Sequence, residues 1–276
     1  MGTERSRYNH EALRCKIELI RHLYKESNIQ LNPTSQLYKL LESAEKLVDE
    51  WAKDNKETEM ALLFQFLHIE RISRAIQILS GEELKEKYLK ALLHGSLNFF
   101  DREISHAKSI LFELEVCAKL RKTVPDTQLA EPDVVVNLQG HKIAIPCKKI
   151  FSEKGVSKIL SNAVAQFEKS FDFGIVAVNI DDLIPAEVTL QARTFKELSD
   201  KMHTVNMIFL TNHERHFNRY LSTSRIIGVI ASNSLVADIL DELPKFNNAV
   251  EWAIWTTPGL LPKHSTAIEV FRAGMK

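Results

Sequence analysis

Leu13, Ile17, Ile20, Leu23 and Tyr24 recur at the spacing of one helix face, with charged residues between them. That pattern predicts a first amphipathic helix. Pro33 interrupts it, and Ser35 is placed to cap a second helix carrying Leu37, Leu40, Leu41, Ala44 and Leu47. A third apolar segment runs from Leu62 to Leu79, and a fourth from Glu82 to about Leu93. Residues 1–101 contain no β-type run and read as an all-helical N-terminal module. Each apolar stripe has to be buried, and the other helices of the module are the simplest partners. A protein partner or a second copy of the chain, docking through these helices, is the alternative expectation.

From residue 102 the pattern becomes mixed. A helix is predicted over Glu103–Lys122, with Ala107, Ile110, Leu111, Leu114, Ala118 and Leu120 on its apolar side. Two short strands follow, Asp133–Leu138 and Lys142–Cys147, joined by a Gln139-Gly140 turn. Next come a helix over Val156–Phe171, a strand over Gly174–Ile180 and a long polar helix over Phe195–Leu221. A strand over Ile226–Ala231, a short helix over Leu235–Leu243 and a strand over Ala249–Trp255 complete the prediction. The runs starting at Gly174 and Ile226 are continuously apolar, as expected of central strands covered on both faces. Residues 102–276 therefore read as one α/β domain.

Composition narrows this little. Of 276 residues, 45% are hydrophobic and 26% charged, which is ordinary for a globular chain. No apolar run approaches the roughly 20 residues of a membrane helix, so no membrane partner is expected. Cys15, Cys117 and Cys147 are far apart and form no CxxC pair, so a reducing, cytoplasmic setting is the expectation. The opening Met1-Gly2-Thr3-Glu4-Arg5-Ser6 fits a myristoylation pattern too short to carry weight. Formal net charge is zero, so nucleic-acid binding would need a local basic patch. Residues 141–158 provide one, with Lys142, Lys148, Lys149, Lys154 and Lys158 against Glu153.

Candidate chemistry gathers at the hairpin. Glu131-Pro132-Asp133 opens the first strand, and Pro146-Cys147-Lys148-Lys149 closes the second. Strand alternation puts Lys142, Ala144, Pro146 and Lys148 on one face, and Ile143, Ile145 and Cys147 on the other. A buried structural thiol is expected of Cys147. Metal-assisted phosphodiester cleavage needs convergent oxygen ligands, an activated water and a cation near the attacking oxygen. Asp133 supplies a carboxylate, Lys148 the cation, and the Cys147 backbone carbonyl a further ligand. Glu113 and Glu115 flank the apolar stripe of the preceding helix, and either is a candidate second acid. On the next helix, Gln166 shares a face with Ile159, Asn162 and Ala163 and is a candidate to hold the attacking water.

The order Phe112-Glu113-Leu114, Pro132-Asp133, Ile143-Ala144-Ile145-Pro146-Cys147-Lys148, a helix with Gln166 and the strand Gly174–Asn179 resembles the core of the PD-(D/E)xK nuclease superfamily. The resemblance covers about residues 102–182. It implies a restriction-endonuclease-like fold, a mixed central sheet flanked by helices. It also implies catalytic roles for Glu113, Asp133, Lys148 and Gln166, with Mg²⁺ or Mn²⁺ as cofactor. Pro146 stands where the family carries an acid, and Glu113 or Glu115 would compensate. The metal would be held by Asp133, Glu113 or Glu115, and Cys147 through its carbonyl. Lys149, Lys154, Lys158, Arg215 and Arg219 would contact phosphates of a nucleic acid, expected to be DNA. The implied activity is a metal-dependent DNA endonuclease, in host defence or repair. A nuclease-fold binding or scaffold protein that has lost its acid is the alternative. His213-Glu214-Arg215-His216 has the wrong spacing for a zinc motif and reads as a solvated or DNA-facing helix surface.

Overall fold

The computed structural model describes residues 10–54, 60–167, 171–185, 188–243 and 245–275. The Met1–Ser6 pattern lies outside them. The chain divides into two compact units. One comprises residues up to Leu111 with Thr189–Phe195 and Val236–Asn248. The other comprises Phe112–Val188, Lys196–Leu235 and the chain from Ala249.

In the first unit, helices α1 (His10–Glu26), α2 (Gln36–Asp54) and α3 (Met60–Ile76) pack on one another. Their buried positions are the stripes seen in the sequence. Leu13, Ile17, Ile20 and Tyr24 come from α1, Leu37, Leu41, Ala44 and Val48 from α2, and Phe66, Ile69, Ile72 and Ile76 from α3. Ser35 caps α2, its hydroxyl accepting from the Tyr38 amide at 3.2 Å. The short helix α4 (Lys85–Ala91) is tied back through the Tyr24 hydroxyl, which donates to the Leu89 carbonyl at 2.8 Å. Among the described residues no strand precedes Thr127, as expected.

One polar side chain of this unit is conspicuous. His68 on α3 is buried between Phe99 and Phe100, at ring distances of 4.9 and 5.1 Å, and its Nε2 has no hydrogen-bond partner. Burial, with the nearby charges of Arg71 and Lys108, pushes its pKa down to about 4.

The second unit is built around a mixed sheet. Helix α5 (His106–Arg121) leads into β1 (Thr127–Ala130), β2 (Asp133–Leu138) and β3 (His141–Ile145), an antiparallel meander. The β2–β3 turn is the expected Gln139-Gly140, with φ of 51° and 80°. Positive φ at both turn positions is the two-residue geometry that matches strand twist. After Pro146 come β4 (Cys147–Lys149), helix α6 (Val156–Phe167) and β5 (Phe173–Asn179). β6 (Thr189–Ala192), which belongs to the first unit, is followed by α7 (Phe195–Asn212), α8 (Glu214–Thr223), β7 (Ile226–Ile239), β8 (Phe246–Trp255) and α9 (Pro262–Met275), the end of β7 and the start of β8 also belonging to the first unit. The eight-stranded order is β1-β2-β3-β5-β7-β6, with β4 also on β5 and β8 also on β7. β3, β4 and β7 all run parallel to β5. The fold class is thus α/β, with helices flanking a mixed sheet and preceding it in sequence.

One face of the sheet carries Val135, Ala144, Val176, Val178, Val229 and Ala231. It packs on Val156, Leu160, Ala163 and Val164 of α6, Phe209 and Leu210 of α7, and Phe217 of α8. On the other side, Gly228 of β7 lets α9 approach. A Cβ there would meet Ile268 Cδ1 at 3.0 Å and the Trp255 carbonyl at 3.3 Å.

Several predicted elements are corrected. The helix expected over Leu235–Leu243 is absent, because β7 continues to Ile239 and its end pairs with β6, register Thr189↔Val236 to Ala192↔Ile239. β1, β6 and α9 were not foreseen. The long helix over Phe195–Leu221 breaks at His213 into α7 and α8. Phe171 lies beyond the end of α6. Among the described residues no helix is long and apolar enough to cross a membrane.

Because the depressed pKa of His68 keeps it neutral when folded, stability is expected to be complete above about pH 6.5. It should fall by up to ~3 kcal/mol as pH drops toward about 4. Chemical denaturation of the parent and of His68→Leu across that window measures the slope, and the variant should lack it.

Candidate active site

The register of β2 on β3 runs Val134↔Ile145, and one step further places Asp133 opposite Pro146. Pro146 has no N–H for the ladder, which interrupts the strand. Its carbonyl still accepts from the Ala177 amide at 2.9 Å. The offset onto β5 is unchanged across the break, Ala144↔Gly174 before it and Cys147↔Ala177 after it. Proline therefore costs a hydrogen bond without shifting the register.

The next residue has the opposite problem. The N–H and C=O of one strand residue point to the same side, and successive residues alternate. Pro146 faces β5, so Cys147 faces the β2 side, where β2 has only begun. The Asp133 carboxylate fills the gap. Its Oδ2 accepts from the Cys147 N–H at 2.7 Å and from Lys148 Nζ at 3.0 Å. Both side chains are largely shielded, Asp133 at 15% and Lys148 at 21% exposure. They share the sheet face covered by α6 and α8, since Val135 and Val178, their alternation or register mates, lie in that core.

Electrostatics mark this carboxylate. Burial pushes the Asp133 pKa above its ordinary value. The Lys148 charge and the Cys147 amide oppose the shift without cancelling it, and Glu131 adds to it. The Cys147 thiol is buried, with its pKa raised by burial and then by the charges of Asp133 and Glu113, so it is no nucleophile at neutral pH.

The positions of the other expected site residues vary. Glu113 on α5 is half-buried and close enough for its charge to act on the Cys147 thiol. Glu115 is half-buried two residues on, which turns it to a different side of the helix. The two cannot both serve one ion with Asp133. Among the described residues, no group of three or more His, Cys, Asp or Glu side chains converges at metal-binding distance. The expected cluster of Asp133, Glu113, Glu115 and Cys147 is therefore not formed by side chains. Glu131, two residues before Asp133, is the nearby acid that the sequence reading overlooked.

Gln166 is exposed near the C-terminal end of α6. That helix returns the chain to the start of β5, whereas Lys148 pairs with Val178 near its finish. Gln166 thus lies on the order of 15 Å along the helix from the end nearest Lys148, and it is not brought to the Asp133–Lys148 pair.

Lys154, in the 3₁₀ turn Glu153–Gly155, and Lys158, in the first turn of α6, are exposed. Arg215 and Arg219 are exposed one helical turn apart on α8. α6 and α8 are neighbours, and His213 Nε2 lies 3.9 Å from Glu153 Oε2 beside that turn. These four cations therefore occupy adjoining elements on the Asp133–Lys148 side of the sheet. His213 itself is not solvated as expected but buried against Phe209 and Phe217. Lys149 is also a correction. Its side chain is 4% exposed, with Nζ 2.6 Å from Asp182 Oδ2, so it offers nothing to a phosphate.

Two oxygens remain beside the Asp133–Lys148 pair that could serve a hard cation. Asp133 Oδ1 lies outside both hydrogen bonds made by Oδ2, and the Cys147 carbonyl turns to the same side as the amide that reaches Asp133. The chain matches none of the family models, curated proteins or solved structures with which it was compared.

Removing the Lys148 ammonium leaves Asp133 with the Cys147 amide alone. Lys148→Met is expected to destabilise the protein by about 1–3 kcal/mol at about pH 8. A carboxyl whose folded pKa is raised adds its cost when ionised, so the penalty should shrink as pH falls through that pKa. Urea unfolding of parent and variant at about pH 8 and about pH 5 measures the difference.

Proposed function

We propose that this chain is a metal-dependent nuclease that hydrolyses phosphodiester bonds in DNA on a restriction-endonuclease-like core. The observation that carries the reading is the Asp133 carboxylate, held across the hairpin by the Lys148 ammonium and the Cys147 amide. An acid and a lysine from adjacent strands, beside the Cys147 carbonyl, support this reading because phosphodiester hydrolysis uses an oxygen ligand for the metal and a cation near the attacking water.

Asp133 and the Cys147 carbonyl would hold Mg²⁺ or Mn²⁺, with Glu113 or Glu131 acting through water. When bound, the ion supplies positive charge to the scissile phosphate and lowers the pKa of a water. Lys148 has a separate task. Its ammonium, held 3.0 Å from Asp133 Oδ2, would orient the nucleophilic water and offset negative charge building on the attacked phosphate. Lys154, Lys158, Arg215 and Arg219 would seat the strand by its backbone, fixing position without reading sequence.

A second reading is favoured by a specific observation. Lys148 already partners Asp133, Pro146 supplies no acid, and the described residues form no three-acid cluster. On that reading the fold binds nucleic acid without cutting it.

Cleavage decides between them. Plasmid and single-stranded DNA should be cut in Mg²⁺ or Mn²⁺ by the parent. Asp133→Ala and Lys148→Ala should each be slower by about 10²-fold or more. Alanine at Lys154, Lys158, Arg215 or Arg219 should weaken binding and flatten its salt dependence by about one unit of slope each. A parent that binds DNA with a steep salt dependence yet cuts nothing with either metal refutes the enzyme reading in favour of the second.

A further inference from the structure

The buried lysine beside the candidate site is tied down as firmly as Lys148. Lys149 Nζ lies 2.6 Å from Asp182 Oδ2 and 3.9 Å from Asp181 Oδ2, and donates to Asn179 Oδ1 at 2.6 Å. The acids are equally enclosed, with side-chain exposures of 2% for Asp182 and 7% for Asp181. The network extends across the sheet. Asn179 Nδ2 donates to Ser232 Oγ at 3.4 Å, and Asp181 accepts from the Ser234 amide at 2.7 Å and its hydroxyl at 2.8 Å. Lys149 and Asn179, the last residues of β4 and β5, are register partners, and Asn179 is in turn paired with Ser232 midway along β7.

Such a network is an inefficient way to stabilise a fold. Desolvating an ammonium and carboxylates offsets most of their attraction, and the best-attested use of a buried ion pair is to fix register. Register is the weak point here. β4 has three residues and follows a proline that cannot donate to the ladder. Lys148 and Lys149 are chemically the same and point to opposite faces. A slip of one residue would exchange them, turning Lys149 toward Asp133 and Lys148 into the core.

We infer that Lys149 is a positioning residue, captured by Asp181 and Asp182 so that β4 docks in the one register that brings Lys148 and the Cys147 amide to Asp133. The inference depends on the proposed function only for its effect on cleavage. Its structural part concerns the Asp133 contacts themselves.

Three variants test it, Lys149→Met, Asp182→Asn and the pair Lys149→Met/Asp182→Leu, which is charge-free at those two positions while Asp181 keeps its bonds from the Ser234 amide and hydroxyl. Thermal unfolding, amide exchange at Cys147 and the kcat and KM of Mg²⁺-dependent cleavage are read on each. The single variants should lose stability, and the charge-free pair should regain it, since apolar replacement of a buried ion pair is tolerated. Exchange at the Cys147 amide should nevertheless stay faster than in the parent by about tenfold or more in all three, with the amides of β2 unchanged. Turnover should fall by roughly 10²-fold with KM little altered. Should Lys149→Met not fold, the isosteric Asp182→Asn is read the same way. If the charge-free pair recovers Cys147 protection together with its stability, the network is merely structural and the inference is overturned. If the parent cuts no nucleic acid, the nuclease reading fails, and the exchange data alone still decide the positioning role.

Discussion

The Asp133 carboxylate completes a β-ladder that the backbone cannot. β2 begins at Asp133, so the residue that should receive the Cys147 amide is Pro132, before the strand. The side chain of Asp133 accepts that amide instead and takes the Lys148 ammonium on the same oxygen. One oxygen therefore ends the strand and positions the Lys148 ammonium, while Oδ1 takes part in neither bond. Burial raises this carboxyl's pKa, and the Lys148 charge and the Cys147 amide oppose the shift without cancelling it.

The two faces of β4 divide the work. On the α6 side, Lys148 is partly exposed and paired with Asp133. On the other, Lys149 is sealed among Asp181, Asp182 and Asn179. Adjacent lysines thus have opposite fates because strand alternation sends one to Asp133 and the other to the enclosed Asp181 and Asp182. The apolar core formed by Val135, Ala144, Val176 and Val178 with α6 and α8 keeps the strands rigid enough for these placements to persist.

Much of this was legible in the sequence, for identifiable reasons. The helical stripes of Leu13, Ile17 and Ile20, and the Gln139-Gly140 hairpin, depend on local patterning, and both formed as expected. β7 was cut short because Ser232-Asn233-Ser234 breaks an apolar run. Those polar groups find partners inside the protein, Ser234 in Asp181 and Asn233 Nδ2 in Asn206 Oδ1 and the Met202 carbonyl, so the strand continues. β1 and β6 are four residues each, too short to show a period. At the site, Asp133 and Lys148 were legible because a hairpin brings its strand ends together. Gln166 was placed by helix face alone, and its distance along the axis became visible only with the direction of α6. Lys149 looked like surface because the acids that bury it lie some 30 residues downstream, at a strand end whose pairing is a tertiary fact.

The proposed nuclease needs Asp133, the Cys147 carbonyl and Lys148 to form one site for a divalent cation and a phosphate. An anomalous difference map from crystals soaked in Mn²⁺ tests this. A peak is expected at coordinating distance from Asp133 Oδ1 and the Cys147 carbonyl, with Lys148 still beside the carboxylate. A map with no peak at Asp133, or with Mn²⁺ bound only elsewhere on the chain, would contradict it.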